Sequence, residues 1–170
     1  MNHEDFMREA LALAEAALKE GEFPVGAILV YKNEILATGA RKGTCEGFAN
    51  EVDHAEIMAL RTLAGKKELN EINRQEITIY GTMEPCLMCF GAILLSGIGK
   101  IVYAYEDVMG GGIGCDIAHL SPLYRKSSVE IMPGVLRKES LDIFKAYFSN
   151  PSNLYWRGSL LADYTLAQKD

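Results

Sequence analysis

The chain has 170 residues, a length that suits one domain able to bury a real core. Hydrophobic residues make up 49% and charged residues are mixed along the chain, which excludes a mainly disordered polymer. The formal charge of −6 at pH 7 weighs against a polynucleotide partner, although a local basic patch can coexist with an acidic total.

Apolar residues recur at helical spacing over residues 5–20, which predicts a first helix ended by Gly21. The same N-terminal stretch, "MNHEDFMREALALAEAALKEG", is acidic and helical, unlike a basic n-region followed by an apolar h-region. No apolar run approaches the roughly 18 to 20 residues of a membrane span, so a cytoplasmic protein is expected. In that compartment the four cysteines are expected to be reduced, metal-bound or reactive rather than paired.

"VGAILVY" and "EILATGA" flank Lys32 and Asn33 and predict a β-hairpin. A polar loop over 42–52 follows, and Asp53 is the expected N-cap of a second helix, "HAEIMALRTLAG". "ITIYGT" is apolar enough for a central strand, and Pro85 opens a third helix, "CLMCFGAILLSG". "KIVYAY" is a fourth strand. The glycine-rich "GGGIG" after it lacks the lysine and hydroxyl residue of a P-loop and is expected to be a flexible turn. A short strand over 129–132 and helices over 138–148 and 155–168 complete the chain, with Pro151 between those helices. Strands alternating with helices predict an α/β fold, one domain over 1–170 with a sheet covered on both faces. The opening hairpin makes that sheet mixed.

Cys86 and Cys89 fall in the first turn of their helix, three apart, which puts both sulfurs on one side. The positive end of a helix favours thiolates, the metal-binding form. Alone, the C-x-x-C admits core filler, a redox pair or half a metal site. His54 and Glu56 are two apart and would point in nearly opposite directions on a helix flank, so they can act together only at the helix tip. Two such tips converging would supply one nitrogen and two sulfurs, a zinc-compatible set with the fourth tetrahedral position left to water. A closed structural zinc site would need a further ligand, for which His119, Cys45 and Cys115 are the candidates.

H-A-E followed by P-C-x-x-C is the signature of zinc deaminases of nucleobases. On these motifs the chain resembles the cytidine-deaminase-like superfamily over most of its length. "FPVGAILV", "HAEIMALR" and "GIGKIVYAYED" look most like the bacterial tRNA adenosine deaminases, while free-base deaminases for guanine or cytosine share much of the framework. The resemblance implies a three-layer α/β/α sandwich around a central mixed five-stranded sheet. It implies Zn2+ on His54, Cys86 and Cys89, with Glu56 as proton shuttle. It also implies substrate contacts from Val25, Ala27, Arg41, Ala55 and Asp107, and a homodimer. The implied substrate is tRNA wobble adenosine or, alternatively, a free base, nucleoside or nucleotide. Two features depart from the tRNA pattern. Arg41 stands where that group carries an asparagine, and the loop before His54 reads "FANEVD" in place of D-P-T-A. The chain also continues through "SNPSNLYWRGSLLADYTLAQKD", a segment able to close over a small pocket or alter a subunit contact. An arginine at position 41 would suit a phosphate or a carbonyl edge.

Overall fold

In the computed structural model, which describes residues 1–45, 49–66 and 71–169, the first helix starts where Asn2 can cap it. The Asn2 side chain accepts the Asp5 amide at 2.9 Å and the Asp5 carboxylate accepts the Asn2 amide at 2.8 Å, a reciprocal capping box. The helix, α1 (His3–Lys19), buries Phe6, Met7, Ala10, Leu11, Ala14 and Ala17 along one stripe. Strands β1 (Gly26–Tyr31) and β2 (Glu34–Ala40) form the expected antiparallel hairpin. Lys32 and Asn33 both take positive φ, 46° and 68°, the turn geometry that matches the twist of the strands it joins.

The sheet is completed by β3 (Thr78–Met83), β4 (Lys100–Tyr105) and β5 (Glu130–Met132), in the order β2-β1-β3-β4-β5. β1 runs antiparallel to both β2 and β3, whereas β3, β4 and β5 are parallel, so the sheet is mixed and five-stranded as expected. Alternate side chains divide the core between its two faces. Ile28, Val30, Tyr80, Val102 and Ala104 pack with α1, whereas Ala27, Leu29, Ile79 and Ile101 join the core of the opposite face. That second face is covered by α2 (Ala55–Ala64) and α3 (Leu87–Leu95), through Ala55, Ala59, Phe90 and Ile93. Full burial of each such large aliphatic or aromatic side chain is worth about 1.5–3 kcal/mol. A one-turn helix, α4 (Pro122–Arg125), precedes β5. Beyond it, α5 (Arg137–Ser149) lies beside α1, and α6 (Leu160–Ala167) packs on α5.

Gly39 sets how closely α2 approaches the sheet. A Cβ there would lie 2.1 Å from the Ala55 carbonyl oxygen and 2.6 Å from the Ala59 amide, so only glycine lets the start of α2 rest on β2. α5 is fixed to the end of β3 by the buried Ser140 hydroxyl, which donates to the Thr82 carbonyl at 2.6 Å. At the far end of β4, the buried Tyr105 and Thr165 hydroxyls meet at 3.0 Å and anchor α6.

The structure differs from the expected boundaries at two places. His54, not Asp53, is the N-cap of α2; Asp53 instead pairs with Arg61 at 2.6 Å and accepts the Asn50 side-chain amide at 2.7 Å. The last helix begins at Leu160 rather than near Tyr155. Ser159 supplies the capping oxygen, to the Ala162 amide, and Trp156 and Gly158 take positive φ values that a helix cannot contain. The expected loop over 42–52 includes residues 46–48, which lie outside the described residues.

Candidate metal centre

The ends of α2 and α3 meet beside the end of β3. His54 caps α2, Cys86 caps α3, and Cys89, 0% exposed, lies in the first turn of α3. Neither His54 nor Cys86 makes a side-chain capping bond, so both side chains turn outward from their helices towards each other. His54 Nδ1 lies 3.5 Å from Cys86 Sγ, and one ligand atom from each of His54, Cys86 and Cys89 falls within 4.8 Å of the others. Tetrahedral zinc with the usual Zn–S and Zn–N bonds needs ligand separations of roughly 3.5–3.8 Å, so the donor set fits the ion. Among the described residues no further His, Cys, Asp or Glu joins this group. His119 Nδ1 is 2.8 Å from an Asp116 carboxylate oxygen, the Cys45 thiol donates to Glu22 at 3.2 Å, and Cys115 is exposed. The three candidates for a closing ligand are thus engaged or placed elsewhere, and the geometry is that of an open site.

The protons of the thiol pair are unequally held. The Cys89 thiol donates to Cys86, and this bond, helped by His54 against burial, lowers the Cys86 pKa to about 4. The same bond, together with burial, pushes Cys89 up. Burial opposes charge on His54, but the hydrogen bond and negative charge of Cys86 outweigh it and raise the imidazole. Glu56, on the first turn of α2, is only 3% exposed. Burial pushes its carboxyl above the ordinary range, with its own backbone amide opposing. A carboxylate made more basic in this way is suited to moving protons near neutral pH.

The glycine-rich loop, expected from sequence as a turn, packs on the cysteine-bearing turn through Gly111 and Gly112. The Gly112 amide donates to the Pro85 carbonyl at 2.8 Å, and Gly111 makes a β-bridge with Cys86. A Cβ on Gly112 would lie 2.7 Å from Leu87 Cα and 2.8 Å from the Cys86 carbonyl carbon, so bare backbone is what allows the loop to rest on the cysteine-bearing turn. Glu84 ties this loop to the end of β3 by accepting the Asp107 and Ile113 amides at 3.2 and 3.3 Å. Asp107 in turn accepts the Met109 and Gly110 amides at 2.9 and 2.8 Å.

A cavity of about 130 Å³ opens on His54, Cys86 and Glu56, with Cys89 fully buried behind them. Val25, Arg41, Ala55 and Asp107 line it, four of the five residues expected at the substrate. Ala27 does not. It is fully buried in β1, opposite Gly39 and Gly81 on the neighbouring strands, because β1 has by then entered the core. Glu51, Leu161, Tyr155 and Trp156 also line the cavity and were not among the residues expected at the substrate. The aromatic "LYW" run was the one signal for the last two.

A family model described as the cytidine and deoxycytidylate deaminase zinc-binding region matches residues 1–105. The tRNA-specific adenosine deaminase of Bacillus subtilis is 33% identical, over 84% of this chain and 86% of its own length. That of Haemophilus influenzae is 36% identical, over 85% and 82% respectively. Among solved structures, one from work on A-to-I editing by tRNA deaminases at the wobble position is 29% identical, with a TM-score of 0.67 over 82% of this chain and 98% of that one. The guanine deaminase of Nitrosomonas europaea shares the fold at 20% identity, with a TM-score of 0.65 over 86% and 84%. Zinc is the metal of the matched family, and His54, Cys86 and Cys89 are positioned to bind it. Ligand geometry, sheet topology and sequence identity converge: the chain belongs to the cytidine and deoxycytidylate deaminase zinc-binding family and is a deaminase, a hydrolase of carbon–nitrogen bonds in cyclic amidines.

Proposed function

We propose that this chain removes the exocyclic amine of a nucleobase by hydrolysis, with adenosine in tRNA, the substrate class named for its relatives, as the first to test. The observation that carries the reading is the His54–Cys86–Cys89 donor group beside the buried Glu56 carboxyl, with His54, Cys86 and Glu56 lining one cavity. His54, Cys86 and Cys89 would hold a zinc ion, which would supply a water ionised near neutral pH as the nucleophile. Glu56 takes one proton of that water at its carboxylate and delivers it to a ring nitrogen, making the adjacent amidine carbon electrophilic. After the oxygen adds to that carbon, Glu56 takes the remaining hydroxyl proton and passes it to the departing amine, so that base and water give the oxo-base and ammonia. Val25, Ala55 and Asp107, which line the cavity, are the residues this reading assigns to the base.

A second reading, a free base, nucleoside or nucleotide, is favoured by one observation. Tyr155, Trp156 and Leu161 from the C-terminal segment line the cavity, so part of its wall comes from the extension that departs from the tRNA pattern. Ammonia release by the zinc-loaded chain from adenine, guanine, cytosine, their nucleosides, dCMP and tRNA separates the readings. Turnover of tRNA supports the first, and turnover of small substrates alone supports the second. No ammonia from any of them would overturn both.

The reading includes one domain over 1–170 acting in the cytoplasm as a homodimer. No helix among the described residues is long and apolar enough to cross a membrane. Leu87, Met88 and Leu95 stand exposed on α3, with Leu87 and Leu95 two turns apart, an apolar face suited to self-association.

A further inference from the structure

Arg41 is 2% exposed, and both of its terminal nitrogens donate to protein. Nη1 donates to the Asn50 carbonyl at 2.6 Å, and Nη2 donates to the Tyr155 hydroxyl at 3.2 Å and to a Glu51 carboxylate oxygen at 3.4 Å. The Tyr155 hydroxyl donates to that same oxygen at 2.8 Å, which closes a ring of three side chains. The ring joins the residue after β2, the segment before α2 and a tyrosine 114 positions further along the chain. The Tyr155 ring is held from several sides: Phe23 meets it edge-on at 5.3 Å, the Arg41 guanidinium lies 5.5 Å from its centroid, and Trp156 packs at 5.4 Å. Trp156 takes φ +57°, a backbone state that a bulky residue keeps only when its surroundings impose it. It is 42% exposed and lines the same cavity as Glu56, His54 and Cys86.

We propose that Tyr155 and Trp156 form a specificity-determining wall of the deaminase cavity, presenting an aromatic surface to the nucleobase ring, with Arg41 and Glu51 as positioning residues that hold it. This inference rests on the nucleobase reading above. It reassigns Arg41: a guanidinium balanced by Glu51 and bonded to Tyr155 and Asn50 holds the wall in place and is not the phosphate ligand that its charge suggests. The moiety that meets the wall is therefore an uncharged planar ring, recognised by its π face.

Trp156 is the single tryptophan of the chain, so its fluorescence reports on the wall directly and without turnover. Titrating the zinc-loaded full chain with adenosine, guanine and cytidine is expected to change that emission saturably for at least one of them; no change with any would overturn the proposal. In steady-state assays on the best substrate, Trp156→Ala is expected to raise KM about tenfold, the effect of losing one base–aromatic stack, with kcat within about twofold. Trp156→Phe should restore most of the loss, and Tyr155→Phe should alter the ranking of bases at unchanged zinc content and thermal midpoint. Unchanged KM and unchanged ranking in both the Trp156→Ala and Tyr155→Phe variants would overturn it. Emission changes without ammonia release would defeat the deaminase reading and leave the wall standing.

Discussion

Glu56 is buried beside Cys89 at the start of α2, and glutamine keeps its shape while removing its capacity to carry a proton. Glu56→Gln is expected to lower kcat by about 10²–10⁴ with zinc content unchanged, as checked by ammonia release and metal analysis on the same sample. Glu22 makes a separate point about stability. Burial alone would raise its pKa, but the Thr44 hydroxyl and the Thr44 and Gly43 amides all donate to its carboxylate and hold it at about 2, below an ordinary 4.5. Between those values the unfolded chain binds the extra proton, so the contribution is fully present above pH 4.5 and is lost as pH falls through about 2. It is worth at most about 3 kcal/mol. Glu22→Gln should lower the thermal midpoint at pH 7 and flatten the acid limb of the stability profile; an unchanged limb in thermal unfolding would contradict this. His54, Glu56, Cys86 and Cys89 were legible because their pattern is local, two pairs of short spacing. The Arg41–Glu51–Tyr155 ring was not, because no periodicity relates residues so far apart in the chain.

At the level of elements, the two helix tips are positioned by contacts that forbid side chains. Gly112→Ala would drive a Cβ into Leu87 and the Cys86 carbonyl carbon, displacing the loop that supports the cysteine turn. Zinc affinity is expected to fall about 10–100-fold, the usual effect of losing the support behind a metal ligand. Competition with a chromogenic chelator measures it, and wild-type affinity would contradict the packing argument. The hairpin and α1 were readable from local signals, turn dihedrals and a capping box that depend on neighbours in sequence. Misreadings arose where two local signals competed. Asp53 has cap chemistry but is drawn to Arg61, and the segment at 155–158 has helical composition but takes two left-handed residues. "GGGIG" reads as a free turn in isolation, because its contacts with the cysteine-bearing turn are made by backbone and leave no side-chain signal.

For the molecule as a whole, the mixed sheet places α2 and α3 side by side on one face, so a ligand set divided over more than thirty residues becomes one centre. The exposed apolar face of α3 makes the proposed dimer testable. The wild-type chain is expected to sediment as a dimer and Leu95→Glu as a monomer, while a monomeric wild type would contradict the assignment of that face. The central claim is hydrolysis at this centre, and its signature is the source of the new oxygen. The zinc-loaded chain should be run on its best substrate in water enriched in heavy oxygen, with the product base read by mass spectrometry. One solvent oxygen is expected in the product for each ammonia released, and none when metal has been stripped by a chelator. Ammonia released without solvent oxygen in the base, or at an undiminished rate after stripping, would contradict it.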